Sequence, residues 1–146
     1  MSENLVLDLS MQFAIDVVNL CETLKGKSVL TNQLLRSGTS IGANIHEANY
    51  ASSKADFIAK MQIALKECHE TEYWLKLFVK TNIIAEEIFA KLSNDSGKIR
   101  RILISSINTT KAIYNISWTH HFRFFLCNVS NCFFKIGEYK RKSQRR

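Results

Sequence analysis

The stretch from Ser53 to Thr81, SKADFIAKMQIALKECHETEYWLKLFVKT, carries the clearest structural signal in the chain. Apolar or small side chains recur in it at alternating steps of four and three, at positions 57, 61, 64, 68, 71, 75 and 78. This heptad spacing places them on one face of an α-helix that packs against other helices with a left-handed twist. Ser53 and Asp56 form a pair typical of a helix start, because each side chain can satisfy a free backbone N–H. The pattern therefore predicts a helix over Lys54–Thr81.

Two earlier segments show the same period. Residues 5–24 predict a first helix, and Gly26 predicts its stop, because glycine tolerates the left-handed conformation found at helix ends. Residues 29–49 predict a second helix, with Ser28 as its N-cap. Its apolar line runs through 30, 34, 38, 41, 45 and 48 and includes Gly38. Glycine lowers helix propensity by roughly 1 kcal/mol, so its presence predicts that a neighbouring helix closely approaches this backbone.

The fourth predicted helix, over residues 85–115, is the least regular. Its apolar line runs through positions 88, 92, 99, 103, 106, 110 and 113. The polar run Asn94–Gly97 interrupts the line and predicts a kink or local loosening.

These elements define an all-α fold, an antiparallel up-down-up-down four-helix bundle over residues 1–115 with a C-terminal extension over residues 116–146. The chain has no proline and five glycines, whereas a sheet-rich fold needs many turn residues. A long extended coiled coil is disfavoured by the glycine-bearing breaks near residues 26 and 97. The sequence leaves open whether the extension is ordered.

Positive charge is concentrated in the extension. Residues 1–116 hold 13 Lys and Arg against 12 Asp and Glu, and residues 117–146 hold 7 against 1, which accounts for the 20 and 13 of the whole chain. Charge alone therefore directs the extension, rather than the bundle, to a phosphate backbone. Its aromatic residues could stack on bases or fold against the bundle or a neighbouring subunit. The candidate nucleic-acid contacts are Lys140, Arg141, Lys142, Arg145 and Arg146.

One unusual polar constellation lies in the second helix. Arg36, Ser40, Asn44 and Glu47 follow one another at steps of four, four and three, which places them on one face beside the apolar line. We call these four residues the polar stripe. A binding groove or polar subunit contact is one interpretation, and interhelical hydrogen bonding that fixes the helix register is the other. The sequence leaves the role of the stripe unassigned.

The polar stripe belongs to a run, LRSGTSIGANIHEA (35–48), that resembles the family of 23S rRNA-intervening-sequence proteins, also called S23-like proteins. The runs SKADFIAKMQIALKE (53–67), ETEYWL (70–75) and SSINTTK (105–111) continue the resemblance, which covers roughly residues 5–114. The resemblance implies a small, bacterial, all-helical protein. It also implies a link to insertions in 23S ribosomal RNA genes, or to a pentameric retroelement accessory protein that associates with nucleic acid. It implies no catalytic residue.

Signatures of catalysis are absent from the sequence. It contains no Gly-rich phosphate loop, helical zinc motif or nucleophile elbow, so we expect no enzymatic activity, cofactor or metal site. Cys21 and Cys68 are expected to be buried thiols. The carboxylates of Glu67, Glu70 and Glu72 are expected to form a solvated or partner-facing acidic patch. The metal-capable residues of the extension, His120, His121, Cys127 and Cys132, lack a usual zinc spacing.

Two functions remain open at this point. The first is a non-enzymatic, oligomeric accessory protein that associates with RNA or DNA, and the second is an oligomeric scaffold or protein-partner module without RNA binding. Aromatic residues late in the third helix, Tyr73, Trp74 and Phe78, exceed what one narrow seam needs and are the candidate subunit contacts. No signal peptide or membrane span is recognisable in the sequence, so we expect a cytoplasmic protein without a membrane partner.

Overall fold

The computed structural model describes residues 5–24 and 26–113, and within them it contains four helices and no strand. Helix α1 spans Leu5–Thr23, α2 spans Ser28–Asn49 and α3 spans Lys54–Lys80. Helix α4 covers residues 86–113 of the described chain. The all-α four-helix class is therefore confirmed. The predicted extension over residues 116–146, with its basic and metal-capable side chains, lies outside the described residues.

Pairs of side chains define which helices are neighbours and how they run. Arg36 of α2 contacts Glu70 of α3, and Glu47, further along α2, contacts Lys60, which lies earlier in α3. The two helices are therefore antiparallel. The same antiparallel order relates α1 to α2. Helix α4 contacts α1 through Lys91 and Asp16, at 2.8 Å, and α3 through Arg100 and Glu72, at 3.3 Å. Each helix thus packs between two neighbours, as in an up-down-up-down bundle.

The core lies where the apolar lines of the four helices meet. The side chains of the predicted apolar line of α3 are buried from Met61 to Phe78, and the half-buried Phe57 packs against the core. In α1 and α2 the centre of the core is formed by Phe13, Val17, Leu34 and Ile41. The heptad pattern of the sequence therefore identifies the inward face correctly. No helix among the described residues is both long and apolar enough to span a membrane.

The fourth helix departs from its predicted apolar line. Ile88 and Ile113 are exposed, whereas Ile107 is buried in place of Ser106. The helix continues through Asn94–Gly97, so this run does not end it, and the predicted kink or loosening there stays a prediction. Ser96 lies on the inward side, so the small side chains of this run allow close packing without interrupting the helix.

Helix ends show one confirmed cap and one wrong one. Ser53 accepts a hydrogen bond from the Asp56 backbone N–H at 3.1 Å, as predicted. Asp56 in turn accepts from the backbone N–H of Ser52, so the reciprocal bond falls one residue before the cap. Ser28 is not an N-cap but the first residue of α2, and Lys27 precedes it without a side-chain cap.

The turn between α3 and α4 is a Schellman motif that the sequence analysis did not identify. Asn82 adopts a left-handed conformation, with φ of 54°. The backbone N–H of Ile83 donates to the Phe78 carbonyl at 2.8 Å, and that of Asn82 donates to the Val79 carbonyl at 3.1 Å. These two bonds close the last turn of α3. Asparagine after the last helical turn is the sequence signal for this motif.

Close packing of α1 on α2 confirms the role predicted for Gly38. A Cβ atom at Gly38 would lie 2.9 Å from a methyl carbon of Val17, which is closer than real carbon atoms approach. At Gly42 a Cβ atom would meet the Ser10 carbonyl oxygen at an ordinary 3.5 Å. The absence of a side chain is therefore required at Gly38 and only tolerated at Gly42.

Candidate functional site

The polar stripe of α2 faces α3, and its two ends form ion pairs with that helix. The Arg36 guanidinium donates to Glu70 and lies 3.6 Å from a carboxylate oxygen of Glu67. At the other end, Lys60 donates to the Glu47 carboxylate. This geometry matches the interpretation in which polar residues fix the register of two helices.

The hydrogen bond in the middle of the polar stripe lies within α2. The Asn44 side-chain amide donates to the Ser40 backbone carbonyl at 2.8 Å, within α2. Both residues are half-buried. The stripe is therefore not one continuous site, because its charged ends pair two helices while its uncharged centre is bonded locally.

The ion pair between Arg36 and Glu70 shifts both groups toward their charged forms. The hydrogen bond between the two side chains lowers the pKa of Glu70 and raises the pKa of Arg36. The Trp74 indole N–H also donates to Glu70, at 3.4 Å. Because half of the Arg36 side chain is exposed, solvent screens the pair and its contribution to stability is small.

The expected acidic patch does not exist as a free surface. Glu67 and Glu70 point to one flank of α3, where both lie beside Arg36. Glu72 points to the opposite flank, where it lies 3.3 Å from the Nε atom of Arg100. The prediction failed because residues two positions apart on a helix lie about 200° apart around its axis, so the third carboxylate faces another neighbour.

The three candidate subunit contacts fall into different environments. Phe78 is fully buried in the bundle core, so its assignment as a subunit contact is wrong. Trp74 packs half-buried against the core, whereas Tyr73 leaves 59% of its surface exposed. The two rings meet edge to face, with centroids 5.0 Å apart. Of these three residues, only Tyr73 is exposed.

A shallow groove of about 550 Å³ lies on the outer side of α1 and α2. Small residues of α2, Gly42 and Ala43, form its floor, and Met11 of α1 stands at its edge with 62% of its surface exposed. We call this feature the α1–α2 groove. Asp8 and Glu47 also line it. The groove was not predicted, although the small residues Gly42 and Ala43 are its sequence signal.

Of the two thiols in the described chain, Cys68 is buried as predicted, whereas Cys21 is only half-buried. Burial raises the pKa of Cys68 to about 12 and that of Cys21 to about 11. Neither forms a disulfide, and the thiol group of Cys21 lies 3.7 Å from the Thr31 carbonyl oxygen. Across residues 5–24 and 26–113, no group of three or more His, Cys, Asp or Glu side chains could hold a metal ion.

The described residues therefore define a small four-helix bundle whose buried groups serve packing and whose main polar contacts join its helices. The family model for 23S rRNA-intervening sequence proteins matches residues 2–105. The chain belongs to this family.

A solved structure supports the same assignment. It is a protein of unknown function from the S23 ribosomal protein family of Bacteroides thetaiotaomicron. The two chains are 51% identical and superpose with a TM-score of 0.68 over 70% of this chain and 97% of the other. No curated protein shows significant similarity to the chain.

Proposed function

We propose that this protein is a non-enzymatic accessory protein of the bacterial cytoplasm that assembles into a homo-oligomer and associates with nucleic acid. Membership of a family named for the intervening sequences of 23S rRNA is the observation that carries nucleic-acid association. The basic end of the sequence, with six more positive than negative charges over residues 117–146, supports it, because lysine and arginine neutralise phosphates.

Gel shift of the purified chain tests this association directly. We expect structured and single-stranded RNA to be retarded at low salt, and the retarded fraction to fall steeply as salt rises, because binding releases counterions from the phosphates. The ratio of absorbance at 260 nm to that at 280 nm would reveal nucleic acid that co-purifies with the protein. A chain that purifies free of nucleic acid and shifts neither RNA at low salt does not have this function.

Assembly into a homo-oligomer, with a pentamer as the form to test first, is supported by the α1–α2 groove. Met11 is mostly exposed beside the small residues Gly42 and Ala43, and methionine is enriched in the interfaces between protein chains. Light scattering should give a multiple of the 16.8 kDa protomer mass. A strict monomer at all concentrations would contradict the assembly.

A matched pair of variants locates the contact. Met11→Lys places a charge at the edge of the α1–α2 groove and should reduce the assembled mass. Ile104→Lys places the same charge on α4, where the side chain is 42% exposed and outside the groove, and should leave the mass unchanged. Equal effects of both variants would show that the groove is not the contact.

The second candidate function is an oligomeric scaffold or protein-partner module without RNA binding. The near-neutral charge of residues 1–116 favours it, since a dedicated RNA-binding body usually carries excess positive charge. It predicts an oligomer by light scattering and no shift of RNA at any salt concentration. The mass measurement and the gel shift together therefore separate the two functions.

A further inference from the structure

The outward face of α3 carries positively charged and aromatic residues along a single line. Lys66, His69, Tyr73, Lys76 and Lys80 follow one another at steps of three, four, three and four, and all five are exposed. The spacing matches that of the buried residues of the same helix, but on its opposite side. We call these five residues the basic line.

Among the described residues, no carboxylate forms an ion pair with the basic line. The acidic residues in this half of α3 point to its two flanks, where Arg36 contacts Glu67 and Glu70, and Arg100 contacts Glu72. Lys66, Lys76 and Lys80 form no ion pair within the described chain, although Lys66 is close enough to favour the charged form of Glu70. The near-neutral total of residues 1–116 therefore conceals a local separation of charge, with three ammonium groups on one helix face.

Tyr73 stands in the middle of the basic line with its ring supported from one side. Its edge-to-face contact with Trp74 limits how the ring can turn, because Trp74 itself packs against the core and donates its indole N–H to Glu70. The ring is nevertheless 59% exposed. A supported aromatic ring between cations is the arrangement that stacks on an unpaired base while the cations contact phosphates.

We propose that the basic line binds a single strand of RNA or DNA along α3, with Tyr73 stacking on a base and Lys66, Lys76 and Lys80 contacting phosphates. This inference rests on the nucleic-acid association proposed above and gives it a site within the bundle. The line from Lys66 to Lys80 is about 21 Å long at 1.5 Å per residue, which corresponds to about six stacked nucleotides of one strand. A duplex fits less well, because its base faces are covered.

The test uses the full chain and fluorescein-labelled single strands of uridine or deoxythymidine, each about 12 nucleotides long so that it exceeds the line. Tyr73→Leu should weaken binding about fivefold or more, since stacking is lost, and Tyr73→Phe should retain it. Neutralising the three lysines to glutamine should reduce the slope of log K against log salt by about 2, as expected for three phosphate contacts on a single strand.

Two controls separate this site from the extension. The matched charge control is Lys27→Gln with Lys54→Gln and Lys111→Gln, which removes three exposed lysines outside the basic line and should have a smaller effect. The second control converts the five basic residues of the extension (Lys140, Arg141, Lys142, Arg145 and Arg146) to glutamine. It should weaken binding and leave the Tyr73→Leu effect in place.

The possible failures are distinguishable. If the unaltered chain binds none of the strands, the proposed nucleic-acid function fails together with the site. If the extension variant abolishes binding and the basic-line variants bind like the unaltered chain, nucleic-acid association stands and the basic line is overturned. If poly-glutamate displaces the strand at equal charge and Tyr73→Leu has no effect, the line is a surface for acidic proteins, which also overturns the proposal.

Discussion

Helix α2 packs against its two neighbours by different physical means. Its contact with α1 depends on shape, because Gly38 leaves room for Val17 where any side chain would collide. Its contact with α3 carries charged pairs at the rim, where Arg36 and Glu47 meet residues of the opposite charge. The steric contact does not depend on salt or pH, whereas exposed ion pairs weaken as salt is added or the carboxylates are protonated. The packed contact therefore contributes mainly to stability, and the charged pairs contribute mainly to the alignment of the helices.

The charged pairs are too exposed to account for much of the stability of the bundle. Surface ion pairs typically contribute about 0–1 kcal/mol, whereas the buried side chains between the helices contribute far more through removal of apolar surface from water. Their value lies in selecting one alignment, because a shift of α2 along α3 would separate Arg36 from Glu70 and Glu47 from Lys60 together. Residues 35–48 of α2 therefore contribute to the alignment of α2 with α3 and allow α1 to approach α2 closely.

The largest effect is expected for the shape constraint. Gly38→Ala and Gly42→Ala both gain the helix propensity of alanine, roughly 1 kcal/mol, so their difference isolates packing. We expect the free energy of unfolding of Gly38→Ala to be lower than that of Gly42→Ala by about 1–3 kcal/mol, the usual cost of overpacking a core. Urea denaturation followed by circular dichroism measures both. Equal stabilities would mean that Val17 moves aside without cost.

A smaller effect is expected for the ion pair of Arg36. Arg36→Gln removes the charge that faces Glu67 and Glu70, and should lower the free energy of unfolding by about 0.2–1 kcal/mol at low salt. The loss should shrink as salt is added, since the contact is half exposed. A double-mutant cycle with Glu70→Gln isolates the pair from other changes at each residue. A coupling energy of zero at low salt would contradict the pairing.

The inward face of α3 could be predicted from the sequence because it follows a regular heptad spacing of apolar and small residues. Every residue from Met61 to Phe78 on the heptad line is buried, and only hydrophobic spacing is needed to identify it. The line of α4 was harder, since its small and polar residues match the same spacing poorly. Ile107 is buried where Ser106 was expected, a displacement of one position in a helix whose pattern is weak.

The surfaces were less predictable because they depend on what each helix faces. Three carboxylates that are close in sequence were expected to form one patch. In the structure Glu67 and Glu70 lie on the flank of α3 that contacts Arg36, and Glu72 lies on the flank that contacts Arg100. Predicting this distribution requires the knowledge that α2 and α4 are the neighbours of α3. The basic line depends on the same distribution, because carboxylates on the flanks leave the lysines of the outward face unpaired within the described chain while the overall charge stays balanced.

The smallest effect, and the sharpest contrast between the two contacts of α2, concerns pH. The hydrogen bond from Arg36 lowers the pKa of Glu70 below that of an unfolded glutamate, which is about 4.3. Its stabilisation is therefore fully present above the unfolded value and is lost as pH falls through the folded value. Glu70→Gln should be less stable than the unaltered chain at pH 7, and this difference should shrink as pH drops below about 4. The difference between Gly38→Ala and Gly42→Ala involves no titrating group and should stay constant over the same range, as urea denaturation at each pH would measure. A pH-independent Glu70→Gln difference would place its origin in packing rather than in the charge of the carboxylate.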